Sequence, residues 1–405
     1  MILIELIFCC GQPFAQSIIK GRVLDHSTHK PLANVNVFLS NSTIGDQTSA
    51  DGTFTLKGIK PGTYNLIASM IGYDMYSQSI TLSDETITLP DIEISPKTNN
   101  LTEVIIRPHI DPYNDWYFEM FKKGFLGSSD LASQCKILNS SVLDFDYDQK
   151  TGELKASSHD FIIVENHALG YRLKYLLTEF KKDTNTINKS TMVNFNGSVL
   201  FEKMKGTDAQ QRRWREKRRE IYEGSEMHFL RSLLNDRLDK DGFRVSRYTV
   251  YKNPERPPDS LISAKIDFYT KLRDSKHNKG KWRDSLSAWK KRAGLTKVLI
   301  TLRDVPLERN EILLRTPTAG VYALGCDLDG LYINYNKLHH PAASIAYLGT
   351  RYNYDSTLLN FASPYTFFDN NGWVLNPDSR SFYGAWGKYR VSGMLPADYD
   401  PDATD

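Results

Sequence analysis

The stretch that decides the fold of the N-terminal part is IIKGRVLD at residues 18–25, followed by VNVFL at 35–39 and DGTFTL at 51–56. Runs rich in β-branched and aromatic residues alternate here with turn residues at intervals of about ten positions. The runs cover residues 18–24, 35–39, 53–56, 62–70, 75–82 and, more weakly, 86–94. Such even spacing, with Gly and Pro at the breaks, predicts an antiparallel β-sandwich.

The same stretch carries a family resemblance. Its motifs are I-x-G-x-V-x-D from Ile19, T-x-x-D-G-x-F-x-L from Thr48, and I-G-Y from Ile71. As a set they resemble the carboxypeptidase regulatory-like domain. The resemblance implies a transthyretin-like β-sandwich over residues 17–95. His29 stands where the family usually has a turn glycine, so the first turn departs from the family pattern.

Residues 96–110 are interpreted as a linker with a short strand, and residues 111–405 as an α+β domain. The strand at 101–106 resembles the one that follows this domain in TonB-linked receptors, but the good helix signals beyond it argue against a receptor barrel. Five further segments resemble Gram-negative bacterial proteins named for the regulatory-like domain: FKKGF from Phe121, ENHALGY from Glu165, FLRSL from Phe229, FFDNNG from Phe367 and LPADY from Leu395. This resemblance implies an architecture and an exported location, and no catalytic residues.

Within the second domain, hydrophobic periodicity and capping residues predict a mixture of helices and strands. The predicted helices are 113–124, 208–222 with a capping box at Thr207 and Gln210, one running from Ser225 to Gly242, and one from Trp282 to Gly294. The predicted strands are 142–147 and 153–157 as a hairpin, then 160–165, 171–180, 191–203, 243–251, 261–272, 295–302, 330–335, 343–348 and 373–375.

Composition limits the function classes. The 405 residues hold 51 Lys and Arg against 48 Asp and Glu, a formal net charge of +3, which argues against a globally basic nucleic-acid binder. A hydrophobic fraction of 40% and a charged fraction of 24% exclude wholesale disorder. No later stretch approaches the roughly 18 apolar residues of a transmembrane helix.

The chain starts MILIELIFCC-GQPFAQS, which is interpreted as a short signal peptide over residues 1–16 with cleavage near Ala15. It lacks a basic start and carries Glu5, so a buried first strand and a lipoprotein site at Cys9 or Cys10 stay as alternatives. The expected location is the periplasm or the outer cell surface. After cleavage Cys135 and Cys326 remain, either paired or separately buried.

The sequence offers no recognisable catalytic chemistry. None of the nine His has Glu three residues later and there is no H-E-x-x-H, so a zinc carboxypeptidase is not expected despite the domain's name. The G-x-S-x-G, G-x-x-x-x-G-K-[ST] and G-x-G-x-x-G motifs are also missing from the sequence. We therefore predict no catalytic residues, metal ligands or cofactor.

Three weaker candidates for metal binding have simpler explanations. Asp144, Asp146 and Asp148 have the spacing that begins a calcium loop, but Gln149 and Lys155 replace the required Gly and Glu. They are better explained as the exposed face of a strand. His339 and His340 point apart in an extended segment, and His26 and His29 flank a surface turn.

Clustered positive charge indicates a binding site more strongly than any of these metal-binding candidates. Residues 271–297 hold ten Lys and Arg against two Asp. We predict an exposed patch for an anionic ligand, formed by Lys281, Arg283, Lys290, Lys291 and Arg292. The helix around 212–219 is also basic, though some of its charge can pair locally. A solvated, salt-bridged face is the alternative for both regions.

Together these features predict an exported, non-catalytic binding or scaffolding protein. The expected partners are an anionic glycan, lipopolysaccharide or a cell-envelope protein, and not nucleic acid. The alternative is an enzyme of unfamiliar type in residues 111–405 that acts on glycan or peptide. An enzyme would show a concave pocket with converging acid and base groups, whereas a binder would show an exposed patch.

Overall fold

The computed structural model describes residues 17–82, 85–97, 114–184, 191–274, 282–325, 330–336, 344–347, 350–353 and 356–403. Within them the chain is mostly β, with an N-terminal β-sandwich followed by an α+β region, as the sequence predicts. The predicted signal peptide, most of the predicted linker and the His339–His340 pair lie outside these residues.

The sandwich consists of two four-stranded sheets. Its strands are β1 (Ser17–Asp25), β2 (Asn36–Leu39), β3 (Gly45–Gln47), β4 (Thr53–Ile59), β5 (Gly62–Ser69), β6 (Tyr76–Leu82), β7 (Thr86–Thr88) and β8 (Ile92–Ile94). One sheet has the order β4-β1-β7 with β8 beside β1, and the other has the order β3-β2-β5-β6. All six predicted runs form strands, and β3 is an addition. Because β7 and β8 run parallel to β1, the sandwich is not wholly antiparallel.

Side-chain alternation builds the sandwich core. Val35, Val37 and Leu39 are buried between the sheets, whereas Phe38 points to the opposite face.

The first turn has the backbone conformation that a glycine would favour. His29, which stands where the family usually has glycine, has φ of 53°, in the left-handed region.

The next part is a helix packed on a six-stranded sheet. Its elements are α1 (Asn114–Leu126), β9 (Cys135–Ile137), β10 (Leu143–Asp148), β11 (Glu153–Ser158), β12 (Ile162–Asn166), β13 (Tyr171–Thr184) and β14 (Thr191–Lys203). The sheet order is β10-β11-β13-β12-β9, with β14 paired to β13. On α1, Phe121 and Phe125 are fully buried, and Phe121 meets Phe180 of β13 with ring centroids 4.9 Å apart. The predicted hairpin of β10 and β11 is confirmed.

The last part combines short helices with three small sheets. Its helices are α2 (Asp208–Tyr222), α3 (Glu226–Leu234), α4 (Leu238–Asp241), α5 (Asp259–Asp274), α6 (Trp282–Ala293) and α7 (Arg309–Ile312). Its strands are β15 (Phe243–Lys252), β16 (Val298–Pro306), β17 (Leu313–Arg315), β18 (Val321–Leu324), β19 (Gly330–Tyr335), β20 (Ser344–Tyr347), β21 (Thr350–Asn353), β22 (Ser356–Phe361), β23 (Thr366–Asp369) and β24 (Arg380–Gly384). The sheet orders are β16-β15-β19-β22-β24, β17-β18-β23 and β20-β21.

Capping explains where α2 begins. The Thr207 hydroxyl accepts from the Gln210 backbone N–H at 3.4 Å, and the Gln210 side chain accepts from the Thr207 backbone N–H at 2.8 Å. This reciprocal pair is the predicted capping box, and it satisfies two donors that a helix start leaves free.

Three secondary-structure predictions are wrong. Residues 261–272 form helix α5 instead of a strand, because Ile262, Ile266 and Tyr269 recur at helical spacing and the helix pairs with α6. The single helix predicted from Ser225 to Gly242 is divided into α3 and α4, with Asp236 at φ of 56° between them. Residues 373–375 contribute only an isolated bridge from Val374 to Phe368.

The sandwich is docked firmly on the rest of the chain. Phe38 and Ile67, on its outer face, are buried against Phe161 and Leu200. Burial of such side chains contributes roughly 1.5–3 kcal/mol each. The loop after β2 extends the contact, because the Asn41 N–H donates to Val199 O at 2.7 Å.

The C-terminal segment completes this junction. Asn41 O accepts from the Ala397 N–H at 2.7 Å, and the Asp398 carboxylate accepts from both the N–H and the hydroxyl of Thr43. Asn371 Nδ2 donates to the Tyr64 hydroxyl at 3.1 Å. Two of the segments that carry the sequence resemblance, FFDNNG and LPADY, therefore contact the sandwich.

Arg231 of α3 ties those two segments together. Its guanidinium donates to the backbone oxygens of Asn371 at 2.7 Å, Tyr399 at 2.8 Å and Ala397 at 2.9 Å. The same group lies over the Tyr222 ring, 5.5 Å from its centroid. Arg231 belongs to the FLRSL segment, so three of the resembling segments meet at one side chain.

Candidate functional site

The predicted basic segment lies on an extension of the five-stranded sheet. Residues 243–248 of β15 pair with β19, but residues 249–252 pair only with β16. The α5–α6 hairpin joins the ends of this two-stranded ribbon. We call residues 249–301 the arm.

The base of the arm is held by polar contacts. Asn253 Nδ2 donates to Thr296 O at 2.9 Å, which closes the ribbon. Asp259 binds Arg256 Nη2 and Lys297 Nζ, each at 2.6 Å, and the hydrogen bond from Lys297 holds the pKa of the Asp259 carboxyl below its usual value. Lys297 is therefore paired, and it does not add to the free charge of the arm.

The arm has a small core of its own. Ile262 of α5 and Leu286 of α6 are buried, and the two helices contact each other. Trp289 is half-buried, and the Arg292 guanidinium lies 4.8 Å from its ring centroid. Leu286 therefore belongs to the core of the arm, whereas the Trp289 ring packs against a cation.

Four of the five predicted patch residues lie on α6. Arg283, Lys290, Lys291 and Arg292 are exposed, and the last three occupy the final turn of the helix, where the helix dipole favours positive charge. Within the described residues, no carboxylate lies within ion-pair distance of Lys290 or Lys291. The fifth residue, Lys281, lies outside the described residues.

Exposed apolar side chains accompany this charge. Phe268 of α5 is 54% exposed, and Leu261, Val250 and Tyr251 are also largely open to solvent. The arm therefore exposes aromatic rings as well as cations, and aromatic residues and Arg are enriched in protein interfaces.

Helix α2 provides a second basic face. Lys217 pairs with Glu220 at 2.8 Å and Arg219 contacts Glu223 at 3.7 Å, so part of the charge is locally neutralised as predicted. The i, i+4 spacing of Arg212 and Glu216 would allow a further pair, but these two side chains form no ion pair with each other. Arg218 is buried, with its guanidinium over the Tyr171 ring.

The weak metal-binding candidates have structural roles. Asp144 and Asp146 are exposed on β10, and Asp148 accepts from the Lys150 N–H and the Thr151 hydroxyl in the following turn. The Nδ1 atoms of His26 and His29 lie 2.8 and 3.0 Å from the two oxygens of Glu93.

Cys135 is a free, buried cysteine, and burial raises the pKa of its thiol to about 12. Cys326 lies outside the described residues. No group of three or more His, Cys, Asp or Glu side chains in the described ranges is arranged to hold a metal ion. Among the described helices, none combines the length and apolar character needed to cross a membrane.

A shallow cleft of about 230 Å³ lies between the sandwich and the sheet behind it. One wall carries Asn36, Gln47 and Ser69 from three adjacent strands, and the other carries Asp160 and Lys174. The Lys174 ammonium is 2.6 Å from the Glu202 carboxylate, so its charge is neutralised by an ion pair within the protein.

Comparison with known proteins identifies the sandwich. The family model of the CarboxypepD_reg-like domain matches residues 19–106. The chain carries a carboxypeptidase regulatory-like domain. The regulatory-like domain has the β-sandwich architecture that the sequence motifs predict, and its match extends past the last described strand of the sandwich. The comparison with curated protein sequences finds no match.

The solved structures described next are each similar to about a fifth of this chain. The pilus 2b backbone protein of group B streptococcus is 23% identical, with 20% of this chain and 41% of that chain covered and a TM-score of 0.18. A cohesin–X-dockerin complex of Acetivibrio cellulolyticus is 19% identical, with coverages of 20% and 58% and a TM-score of 0.18. The 5-hydroxyisourate hydrolase of Klebsiella pneumoniae is 22% identical, with coverages of 20% and 90% and a TM-score of 0.18.

Sequence reasoning did not anticipate the half-buried position of Lys182. Burial lowers the pKa of its ammonium group, and the charges of Arg390 and Lys123 act in the same direction. A β-bulge between Leu177 and Glu179 shifts the phase of strand β13, so a simple alternation does not reveal which way Lys182 points.

Proposed function

We propose that this protein is a non-catalytic binding protein whose arm presents a basic and aromatic surface to an anionic partner. The observation that carries the proposal is the last turn of α6, where Lys290, Lys291 and Arg292 are exposed together. Long-range attraction from such a surface raises the association rate of an anionic partner and weakens with salt.

The regulatory-like domain has a supporting role in this proposal. The outer face of its β3-β2-β5-β6 sheet is occupied by Phe161 and Leu200 of the body, so that face is not free for a partner. The binding surface is therefore assigned to the arm, and the sandwich serves as part of the scaffold that carries it.

We also propose that the protein is exported and acts in the periplasm or at the outer cell surface. The apolar start of the sequence, ending near Ala15, supports this location. An anionic glycan is the partner that fits best there, because sulfate or carboxylate groups repeated along a chain match closely spaced cations, and exposed rings such as Phe268 stack on sugars.

The test is retention of the full-length protein on a heparin column. Reversal of three charges in K290E/K291E/R292E is expected to lower the salt concentration needed for elution. The matched control is K20E/K30E/K57E, which makes the same change of net charge at exposed lysines of the sandwich. Equal elution of the two variants would contradict the proposal, because retention would then follow net charge alone. Circular dichroism melting curves check that both variants remain folded.

A further inference from the structure

The cleft between the sandwich and the body lies beside a tightly packed row of side chains. On the outer face of the β3-β2-β5-β6 sheet, Phe38 pairs with Gly45 and Ile67. Phe161 and Leu200 of the body cover this row, and a Cβ placed on Gly45 would be 3.0 Å from Leu200. The next row of the same face, two residues or about 7 Å along the strands, lines the cleft.

Three polar side chains form the sandwich wall of the cleft. Asn36 pairs with Gln47 on one neighbouring strand and with Ser69 on the other, so the three lie side by side. Gln47 Nε2 donates to Asn36 Oδ1 at 3.1 Å, which orients both amides. In the described part of the chain, Asn36 Nδ2, Gln47 Oε1 and Ser69 Oγ make no hydrogen bond. The wall therefore presents an amide donor, an amide acceptor and a hydroxyl.

The opposite wall is braced and carries a carboxylate. Asp160 Oδ1 accepts from the Phe161 N–H at 2.7 Å, and its second oxygen has no hydrogen-bond partner among the described residues. The Asn139 amide donates to Phe161 O at 2.8 Å and accepts from the Ile163 N–H at 2.7 Å, so its own groups hold the wall in place. The free Asp160 oxygen is thus a fixed acceptor across the cleft from the sandwich.

An isoleucine at the rim is largely open to solvent. Ile71 is 80% exposed, the highest value among the large exposed apolar side chains of the described residues. It is held there by the turn after β5, in which the Tyr73 N–H donates to Met70 O at 3.1 Å and Gly72 has φ of 84°. Exposed apolar area is unfavourable in water, and a ligand in the cleft would cover part of it.

We propose that this cleft binds one uncharged sugar ring, either free or within a glycan. Its volume of about 230 Å³ is below the roughly 300–1,000 Å³ of sites for drug-sized ligands, which suits a single ring. Sugar hydroxyls both donate and accept, so they match the amide, hydroxyl and carboxylate groups of the two walls. The apolar C–H groups of the ring would contact Ile71.

The charges of the cleft favour a neutral ligand. The Lys174 ammonium is held in its ion pair with Glu202, so it is not free to attract an anion. The Asp160 carboxylate would repel one. A folded partner does not fit, because Phe161 and Leu200 occupy the adjoining row. The site contains no residue of the arm and is independent of the function proposed for it.

The experiment is a saturation-transfer NMR titration of the full-length protein. The probes are the methyl glycosides of glucose, galactose, mannose and N-acetylglucosamine, and at least one is expected to bind saturably. Sodium chloride at about 0.5 M should leave its dissociation constant unchanged within about a factor of two, because a neutral ligand is not subject to ionic screening. The K290E/K291E/R292E variant should bind it like the wild type, so this result and the heparin result can fail separately.

Two variants test the walls of the cleft. N36D keeps the side-chain volume and the acceptor for Gln47 but replaces the Nδ2 donor, and it should weaken binding roughly tenfold. N65D is the matched control, since it makes the same change at an exposed position of β5, four residues or about 13 Å from Ser69. It should bind like the wild type. I71A should also weaken binding, without lowering the melting temperature, because the side chain is exposed.

The outcomes that overturn the proposal are distinct. Failure of all four glycosides to bind saturably would do so, as would N36D binding as tightly as the wild type. Equal losses in N36D and N65D would mean that binding follows net charge. Melting curves check that N36D is folded, and I71A carries the test if it is not. Binding of N-acetyl-trialanine amide in place of the glycosides would assign the cleft to a peptide and overturn the sugar.

A last comparison separates a free sugar from a glycan. The trisaccharide of the sugar that binds is titrated beside its methyl glycoside, in wild type and N36D. Tighter binding of the trisaccharide that depends on Asn36 assigns the site to a glycan chain. Equal or weaker binding of the trisaccharide assigns it to a free sugar.

Discussion

Arg231 offers the sharpest test of how the regulatory-like domain is held. Its guanidinium makes three hydrogen bonds to backbone oxygens, and the side chain is half-buried. A hydrogen bond from a charged donor contributes about 1.5–3 kcal/mol. Taking the lower value for each bond, because solvent reaches part of the group, R231M should reduce the free energy of unfolding by about 4–5 kcal/mol.

Two variants calibrate this value. R231K keeps the charge but cannot reach three separated carbonyls with one ammonium group, so it should recover less than half of the loss. R219M makes the same chemical change at an exposed arginine whose contact with Glu223 is 3.7 Å, and should cost less than about 0.5 kcal/mol.

The assay is denaturant unfolding, combined with hydrogen exchange of the Ala397 amide, which donates to Asn41 of the sandwich. In R231M this amide should exchange faster than those of the central strand β13, because the segment that carries it loses its anchor. A loss below about 1 kcal/mol, or an R231K variant as stable as the wild type, would refute the reasoning.

Two further predictions concern pH and location. Burial raises the pKa of Asp369 to about 6 from 3.8, so the folded state holds this proton more tightly than the unfolded state. The carboxyl therefore lowers stability by about 3 kcal/mol as pH rises from about 3 to 7. D369N should remove that dependence, and a stability difference between wild type and D369N that does not change with pH would contradict it. Export should remove the first 15 or 16 residues, so N-terminal sequencing of the protein from fractionated cells should start at Gln16 or Ser17. A cytoplasmic protein that retains Met1 would refute export.

Local chemistry explains which elements the sequence could predict. The sandwich strands and helix α2 are specified by alternation, turn residues and a capping box, all of which act within a few positions. Residues 261–272 contain Ile262, Ile266 and Phe268, whose side chains favour strands in isolation. Ile262, Ile266 and Tyr269 also recur at helical spacing, so local patterns favour both structures, and the contact with α6 stabilises the helix.

The same limit applies to the candidate sites. The arm cations were predicted because they are consecutive in sequence, and a dense run of charge must reach solvent. The half-buried position of Lys182 depends on a bulge in β13 and on helix α1 packed over that strand. Neither is visible from the residues that flank Lys182 in the sequence.

The junction and the left-handed backbone at Arg390 lie on one segment of chain. Before Arg390, Lys388 O accepts from the Ser128 N–H at 3.4 Å, and two residues after it, Ser392 O accepts from Asn166 Nδ2 at 2.8 Å. Seven residues after Arg390, the Ala397 N–H donates to Asn41 O of the sandwich, and Ala397 O accepts from Arg231. The backbone at Arg390 is therefore restrained on both sides, and such restraint lets an unfavourable conformation persist. The regulatory-like domain contributes to that restraint through Asn41 and Thr43.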